Sequence, residues 1–338
     1  MSDKVKRTDN DAIVYEERIA PWLPERIVDC HVHVGLPDFV GPISPERSEA
    51  IWAMEISNSQ SWSELRANLE LLFPGKDVWS LAFGWVYREV DIKASNDYVL
   101  SGISDPANRA RSLFVTRPEW DASIIEEALN CGFRGIKPYP DLAPQGQECS
   151  IFDFLPHSHL SVLDKAGSLL MLHLPRRGRI ADPQNIRELR EIADKYPRVK
   201  IIVAHIGRAY CLPTAQRGLP QLADANLYFD TAANLNSDVF RLALDIFGPE
   251  RILYGSDLPI MMMRGFRGHV GETYINYTNG DYSWNKNRKD PAEEARYTFY
   301  LYEELLALID AVRSMGMGQR EFHMIMNSNG TKLLGLTT

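Results

Sequence analysis

The sequence predicts an α/β fold, a (β/α)8 TIM barrel slightly elaborated by long loops after its first and last strands. Three observations carry that prediction: eight short aliphatic runs alternate with amphipathic charged stretches, several runs are almost continuously apolar, and metal-ligand residues recur at their ends. An alternating β-α order favours a parallel sheet, whose strands are buried on both faces and so lose the polar alternation of half-exposed ones. With 338 residues, 45% of them hydrophobic and 24% charged, the chain carries ample apolar surface for one large core.

The eight strand candidates are residues 26–34, 78–86, 112–116, 133–138, 168–174, 199–205, 226–231 and 251–257. Helical patterns fall between them at 61–72, 122–131, 185–196 and 237–247. Asp182-Pro183 opens the third of these as an N-cap followed by proline in the first turn. Two segments break the rhythm, 35–73 and 261–288. Each follows a strand, so in a barrel each lies over the C-terminal mouth and caps a pocket there. Residues 291–315 and 320–334 read as closing helices. The expected division is a loose polar lead-in over 1–20 and a single barrel domain over 21–338.

A net charge of −8 argues against nucleic acid or an anionic membrane as partner, and leaves a small anionic substrate open because local cations can line a pocket. Cys30, Cys131, Cys149 and Cys211 are scattered, with no CxxC pair, as in a reducing cytoplasm. Residues 1–17 lack the apolar centre of a signal peptide, and no apolar run approaches the roughly 20 residues that span a bilayer. A cytoplasmic protein acting on a small molecule is expected.

His31 and His33 stand two apart in the first strand, so both project from one face while Val32 points away. Alone, the pair fits either a shared metal ion or two hydrogen-bonded histidines at a strand end. His173, His205 and Asp257 then end three later strand candidates. In a barrel those ends converge on one mouth, where such folds build active sites. Five buried polar groups at one pole need a common partner, and a metal provides it. His157, His159, His269 and His323 fall in loops or helices and read as surface or substrate-loop residues.

At this point the sequence resembles the amidohydrolase superfamily, in its amidohydrolase-related branch, which includes aminocarboxymuconate-semialdehyde decarboxylase and lactone-type hydrolases. The similarity rests on Val28-Asp29-Cys30-His31-Val32-His33, Gly132-Phe133-Arg134-Gly135-Ile136-Lys137, Leu172-His173, Ala204-His205-Ile206-Gly207, Phe229-Asp230-Thr231, and the run 251–257 with Pro259. It extends from about residue 27 to 336. The resemblance implies one divalent ion held by His31, His33, His173 and Asp257, with His205 beside it polarising the attacked group. Mixed imidazole and carboxylate ligation suits zinc, and manganese or iron also fit. Asp257 doubles as the proton acceptor from metal-activated water. A homodimer is the assembly the resemblance suggests.

Lys137 ends the fourth strand candidate, where binuclear members of the superfamily carry a carboxylated, metal-bridging lysine; a contact to a substrate anion is the preferred role here. Arg176, Arg177 and Arg208 follow the histidine-bearing strands, with Arg264 beyond Asp257, and their guanidinium forks suit carboxylates. Trp85, Tyr87 and Tyr139 are candidates for aromatic walls or for core. Together these features predict a metal-dependent hydrolase acting on a small carboxylated or lactone-like substrate. Non-oxidative decarboxylation on the same ligand set is the alternative, with a catalytically inactive metal-containing barrel as the rival of another class. A phosphoesterase barrel ranks last for want of further ligands.

Overall fold

A computed structural model describes residues 5–337. The strand candidates form parallel strands in sequence order: β1 (Arg26–His33), β2 (Asp77–Phe83), a third strand in two pieces, β3 (Ala110–Ser112) and β4 (Phe114–Val115), then β5 (Gly135–Lys137), β6 (Leu169–Leu172), β7 (Lys200–Val203), β8 (Leu227–Asp230) and β9 (Ile252–Leu253). Their ladders make a three-stranded sheet, β1 to β3, and a six-stranded one, β4 to β9. The break is at Leu113, whose amide still donates to Ala82 (3.0 Å). On the far side β1 meets the chain just beyond β9: Cys30 N–H donates to Tyr254 O (2.8 Å), Asp257 N–H to His31 O (2.8 Å) and His33 N–H to Leu258 O (2.9 Å). Those bonds bridge the two sheets at their other seam, and the parallel strands run in the order of a TIM barrel.

Strand parity decides what points where. Leu170 and Leu172 of β6 and Ile201 and Val203 of β7 pack with Leu160, Leu189 and Phe240 from the surrounding helices. Leu169, Met171 and Ile202 join Leu81, Leu113, Val115 and Leu253 in a second cluster within the ring. Successive side chains alternate between faces, so His173 continues the inward row of Leu169 and Met171, and Lys137 follows Gly135.

The helices Trp62–Leu72, Ala122–Cys131, Pro183–Lys195 and Ser237–Phe247 agree with expectation to within two residues. Each has a side-chain N-cap: Ser61, Asp121, Asp182 and Asn236. Ile92–Ile103 is a further helix whose serines, asparagine and glycine are weak helix formers; the Asp91 cap and burial of Ile92 and Val99 carry it. His157–Ala166 is another, and it buries His159, whose Nε2 meets the Trp120 carbonyl at 2.8 Å. His159 is therefore a core histidine, which corrects its expected surface position.

Residues 5–25, ahead of β1, are packed rather than loose, and positions 1–4 of the expected lead-in lie outside the described residues. Thr8 caps the helix Asp9–Val14, and Tyr15 and Ile19 enter the core. Fully buried Asp11 binds the Arg264 guanidinium and accepts from Thr298 Oγ1 (2.8 Å). Burial opposes ionisation of Asp11, but the hydrogen bonds from Arg264, Thr8 and Thr298 outweigh it and hold the carboxyl below its usual range. Asp11→Ala is expected to cost about 2–3 kcal/mol, because it strands a largely buried guanidinium. The pair's contribution is present above the unfolded carboxyl pKa of about 4 and fades as pH falls below it, so urea midpoints of wild type and variant should converge in acid.

The long segment 35–73 carries two short helices, Pro45–Ala50 and Ala53–Ile56. Segment 261–288, expected as loop, contains an antiparallel hairpin of β10 (Gly265–Val270) and β11 (Thr273–Thr278). Its tight turn is Gly271-Glu272, with Gly271 at φ 59°. The two segments meet through Trp52 against Trp284 (centroids 5.2 Å apart) and Ser283 Oγ to Glu55 (2.8 Å). No helix among the described residues is long and apolar enough to cross a membrane.

Candidate metal centre and active site

A cavity of about 660 Å³ opens at the C-terminal ends of the strands. His31, His33, His173, His205, Asp257, Lys137, Tyr139, Arg176, Arg177 and Arg208 all line it, so ten of the eleven residues expected at the site converge there. Trp85 is the exception: it is buried behind His33, its ring stacked on the imidazole at 5.4 Å and 14°. It supports a histidine instead of forming a wall. Arg264, also expected near the mouth, is engaged by Asp11 and does not line the cavity.

Hydrogen bonds fix the histidine tautomers. His33 Nδ1 faces the Gly84 carbonyl (3.2 Å) and His205 Nδ1 the Ala232 carbonyl (2.9 Å). A carbonyl only accepts, so each Nδ1 carries its proton and each Nε2 presents a lone pair. His31 Nδ1 donates to Asp230 Oδ2 at 2.9 Å, leaving its Nε2 free in the same way. Burial, reinforced by Lys137 for His31 and by Arg208 for His173, holds these two imidazoles well below their usual pKa; burial also lowers His205. Neutral imidazoles are what a metal ion requires.

His31 Nε2 and His33 Nε2 each lie 3.5 Å from Asp257 Oδ1, and one ligand atom from each of the three residues falls within 4.8 Å of the others. That spacing is long for a hydrogen bond but suits shared ligation. Two ligands about 2.1 Å from one zinc at the tetrahedral angle stand about 3.4 Å apart. The donor set therefore fits a divalent ion. His173 faces the same cavity from further off. Its ring lies 5.3 Å from that of His205 and 4.7 Å from that of Tyr139, and its buried Nδ1 has no hydrogen-bond partner among the described residues.

Asp230 is the residue that sequence reasoning passed over. It ends β8 on the inward parity and is fully buried, taking His31 Nδ1–H on one oxygen and the His205 amide (2.6 Å) on the other. Burial raises its carboxyl to about 6, against the opposing pull of His205. It also forms a second compact group with His31 and His205. A carboxylate on the far nitrogen of a ligand histidine sets ring orientation and basicity. Asp230→Asn is expected to weaken metal affinity about 10- to 100-fold, measured by competition with a chromophoric chelator; unchanged affinity would exclude that role.

Asp29 supports the same centre. Its Oδ1 accepts from the amides of His31 (3.1 Å) and Ser256 (2.9 Å), tying β1 to the segment that delivers Asp257. The β1–β2 register shifts between Asp29 and Val32 at this bond.

Backbone strain is concentrated here. Among the described residues eight non-glycine positions have positive φ, and six of them line the cavity: Arg176, Arg179, His205, Arg208, Ala233 and Asp257. Alternation along β7 would turn His205 outward, after Ile201 and Val203; its φ of 58° re-aims it into the mouth. Each such conformation costs of order 1–2 kcal/mol, and clustering at one pole is the mark of a functional site.

Lys137 Nζ lies over the Phe83 ring at 4.7 Å and has no hydrogen-bond partner among the described residues. Burial lowers its pKa to about 8, with Asp230 and Asp257 pulling the other way. Arg267, Arg179, Tyr210 and Tyr274 also line the cavity and were not anticipated.

Fold and site together define a barrel enzyme with a candidate metal centre at its mouth. The chain belongs to the amidohydrolase family, whose sequence model matches residues 28–336. No curated protein matches the chain. Among solved structures it is similar to a probable 2-pyrone-4,6-dicarboxylic acid hydrolase from Acinetobacter baumannii with citric acid bound (14% identity, 92% of this chain and 99% of that one, TM-score 0.59). It is also similar to a 5-carboxyvanillate decarboxylase from Novosphingobium aromaticivorans complexed with manganese and 4-hydroxy-3-methoxy-5-nitrobenzoic acid (14%, 92% and 96%, 0.58). A third is an amidohydrolase from Burkholderia multivorans with bound HEPES (12%, 92% and 100%, 0.61). At these identities the likeness is one of fold.

Proposed function

We propose that this protein is a metal-dependent hydrolase that opens a small carboxylated or lactone-like substrate by adding water to its carbonyl. The observation that carries the proposal is the convergence of His31 Nε2, His33 Nε2 and Asp257 Oδ1 at ligand spacing inside a cation-lined cavity. His31, His33, Asp257 and, with a small approach, His173 would hold one divalent ion. Zinc is the first candidate by ligand type, with manganese, which the decarboxylase structure holds, next. Such an ion supplies Lewis-acid polarisation of a carbonyl and acidifies water.

The chain's own residues supply the rest. Asp257 would be held as the carboxylate by the cation it ligates with His31 and His33. An ionised carboxylate can accept a proton from the attacking water. As the ring C–O bond breaks, the same proton passes to the departing oxygen, leaving a hydroxyl and a new carboxylic acid, which releases its own proton to solvent. His205 Nε2 would polarise the carbonyl oxygen; its neutral ring is oriented by the Ala232 carbonyl, and its backbone amide is held by Asp230. Lys137 and Arg208 hold a substrate carboxylate near the centre, since both face the cavity without an acidic partner among the described residues.

A second reading, non-oxidative decarboxylation, uses the same residues with Asp257 or His205 protonating carbon. It is favoured by one observation: the chain superposes on the decarboxylase as well as on the hydrolase, with TM-scores of 0.58 and 0.59. A panel of lactones and of hydroxybenzoate- and muconate-type acids, with product mass measured, separates the two. A gain of 18 Da supports hydrolysis, and loss of 44 Da as carbon dioxide without water addition overturns it in favour of the second reading.

A further inference from the structure

The cavity's cations fall into two groups. Arg47 is held by Glu89 and Asp141, Arg176 by Asp182 (3.0 Å), and Arg177 stands 3.9 Å from Glu148. Lys137, Arg179, Arg208 and Arg267 line the same cavity, yet none has a carboxylate within ion-pair distance among the described residues. A protein with net charge −8 has acids to spare, so four uncompensated cations facing one cavity mark charge left for a ligand.

These four are arranged at two places. Lys137 and Arg208 lie by the histidines: Lys137 Nζ sits over the Phe83 ring, which packs on His31 and His33, and Arg208 shares the short segment His205–Arg208 with His205. Arg179 and Arg267 stand at the other wall. Arg267 comes from β10, and Arg179 from the turn Arg179–Ala181 after β6. Both guanidinium carbons sit over the same two rings: Arg267 lies 4.8 Å from Tyr210 and 4.6 Å from Tyr274, and Arg179 lies 5.2 Å and 5.3 Å from them. Tyr210 links the two places, its centroid 6.4 Å from that of His205. Arg267 is fixed by the Ala233 carbonyl (2.6 Å) and Asn276 Oδ1 (2.9 Å), which engage Nη1 and Nε and leave Nη2 free to donate. Arg179 has a buried Nε without a partner among the described residues. Two like charges held against one aromatic pair repel each other, and an anion between them removes that cost.

We propose that Arg179 and Arg267, framed by Tyr210 and Tyr274, form a distal anion subsite that selects substrates carrying a second carboxylate at the end away from the reacting carbon. The inference rests on the reading of this cavity as the active site. It assigns the β10–β11 hairpin the role of specificity element: the hairpin brings Arg267 and Tyr274 to a centre built otherwise from strand ends. The ligand class is an anionic ring or short chain one to two rings long, with charge at both ends.

The test uses the full-length, metal-loaded protein, titrated calorimetrically with isophthalate and with benzoate, a pair that differs by one carboxylate. Isophthalate should bind about 10- to 100-fold tighter than benzoate, as expected for one charge-assisted hydrogen-bonded contact. Arg267→Gln and, separately, Arg179→Gln should each remove most of that advantage while leaving benzoate affinity within about twofold. Arg267→Lys, which keeps charge but loses the anchoring bonds to Ala233 and Asn276, should restore part of it. Because the two variants lie on different elements, a folding defect in one leaves the other informative, and Arg217→Gln, on the helix Leu212–Gly218 where it pairs with Glu272 of the hairpin turn, is the control expected to change neither acid. Equal affinity for the two acids with metal content intact overturns the distal subsite alone. Failure of metal-loaded protein to bind either acid overturns both the subsite and the active-site reading.

Discussion

Asp257→Asn is expected to lower turnover at least about 1,000-fold while leaving the fold intact. The carboxylate stands at the meeting point of His31 and His33 and is the group best placed to take a proton from water. An amide has the same shape but cannot accept that proton, and general-base contributions run to about 10²- to 10⁴-fold before weaker metal binding is added. Asparagine is the informative substitution because Asp257 sits at φ 57°, a region asparagine tolerates and alanine does not. The Asp257 amide keeps its bond to the His31 carbonyl (2.8 Å), so thermal melting should barely move. Turnover above a tenth of wild type would remove Asp257 from the chemistry.

Glu304→Ala should produce the largest loss of stability, about 3–5 kcal/mol in urea titrations. Glu304 lies on the helix Tyr300–Ser314 and is fully buried beneath the mouth. One oxygen accepts from Thr231 Oγ1 (2.9 Å) and the other from the Ala233 amide (3.0 Å). Truncation leaves two buried donors unsatisfied and opens a cavity, at about 1–3 kcal/mol for each donor. Burial raises the Glu304 carboxyl well above its usual range. The damage should reach function too, since Ala233 O holds Arg267 and Ala232 O orients His205. Glu304→Gln keeps the volume and one acceptor, so it should fall between wild type and Ala. A loss below about 1 kcal/mol for Ala would show that the acid does not brace the strand ends.

Much of this arrangement is legible in the sequence because barrel strands are apolar on both faces and their ligands come last. His173 is placed by simple alternation from Leu169 and Met171, and His31 and His33 by their spacing of two. Alternation alone misplaces His205, whose inward position depends on a left-handed backbone that nothing in the local pattern announces. Asp230 carried a usable signal, an acid on the inward parity at a strand end, but an acid serving a histidine and an acid serving a metal look alike in sequence. Arg264 and Arg267 show the other limit. Three residues apart near the mouth, one turns to Asp11 and the other into the cavity, and only the hairpin pairing of Gly265–Val270 with Thr273–Thr278 decides which. That hairpin hides in a Gly- and Asn-rich stretch, although Thr273–Thr278 is itself rich in β-formers. Trp85 stacks on His33 because the same apolar run both ends a strand and backs a ligand.

The central claim is that His31, His33 and Asp257 converge to hold a divalent ion. Elemental analysis of purified protein, reloaded with zinc or manganese and desalted, tests it most directly against the double variant His31→Ala/His33→Ala. The account predicts about one ion per chain in the wild type and less than about a tenth of that in the folded variant. A wild type that retains no transition metal, or a variant that retains as much as the wild type, would contradict it.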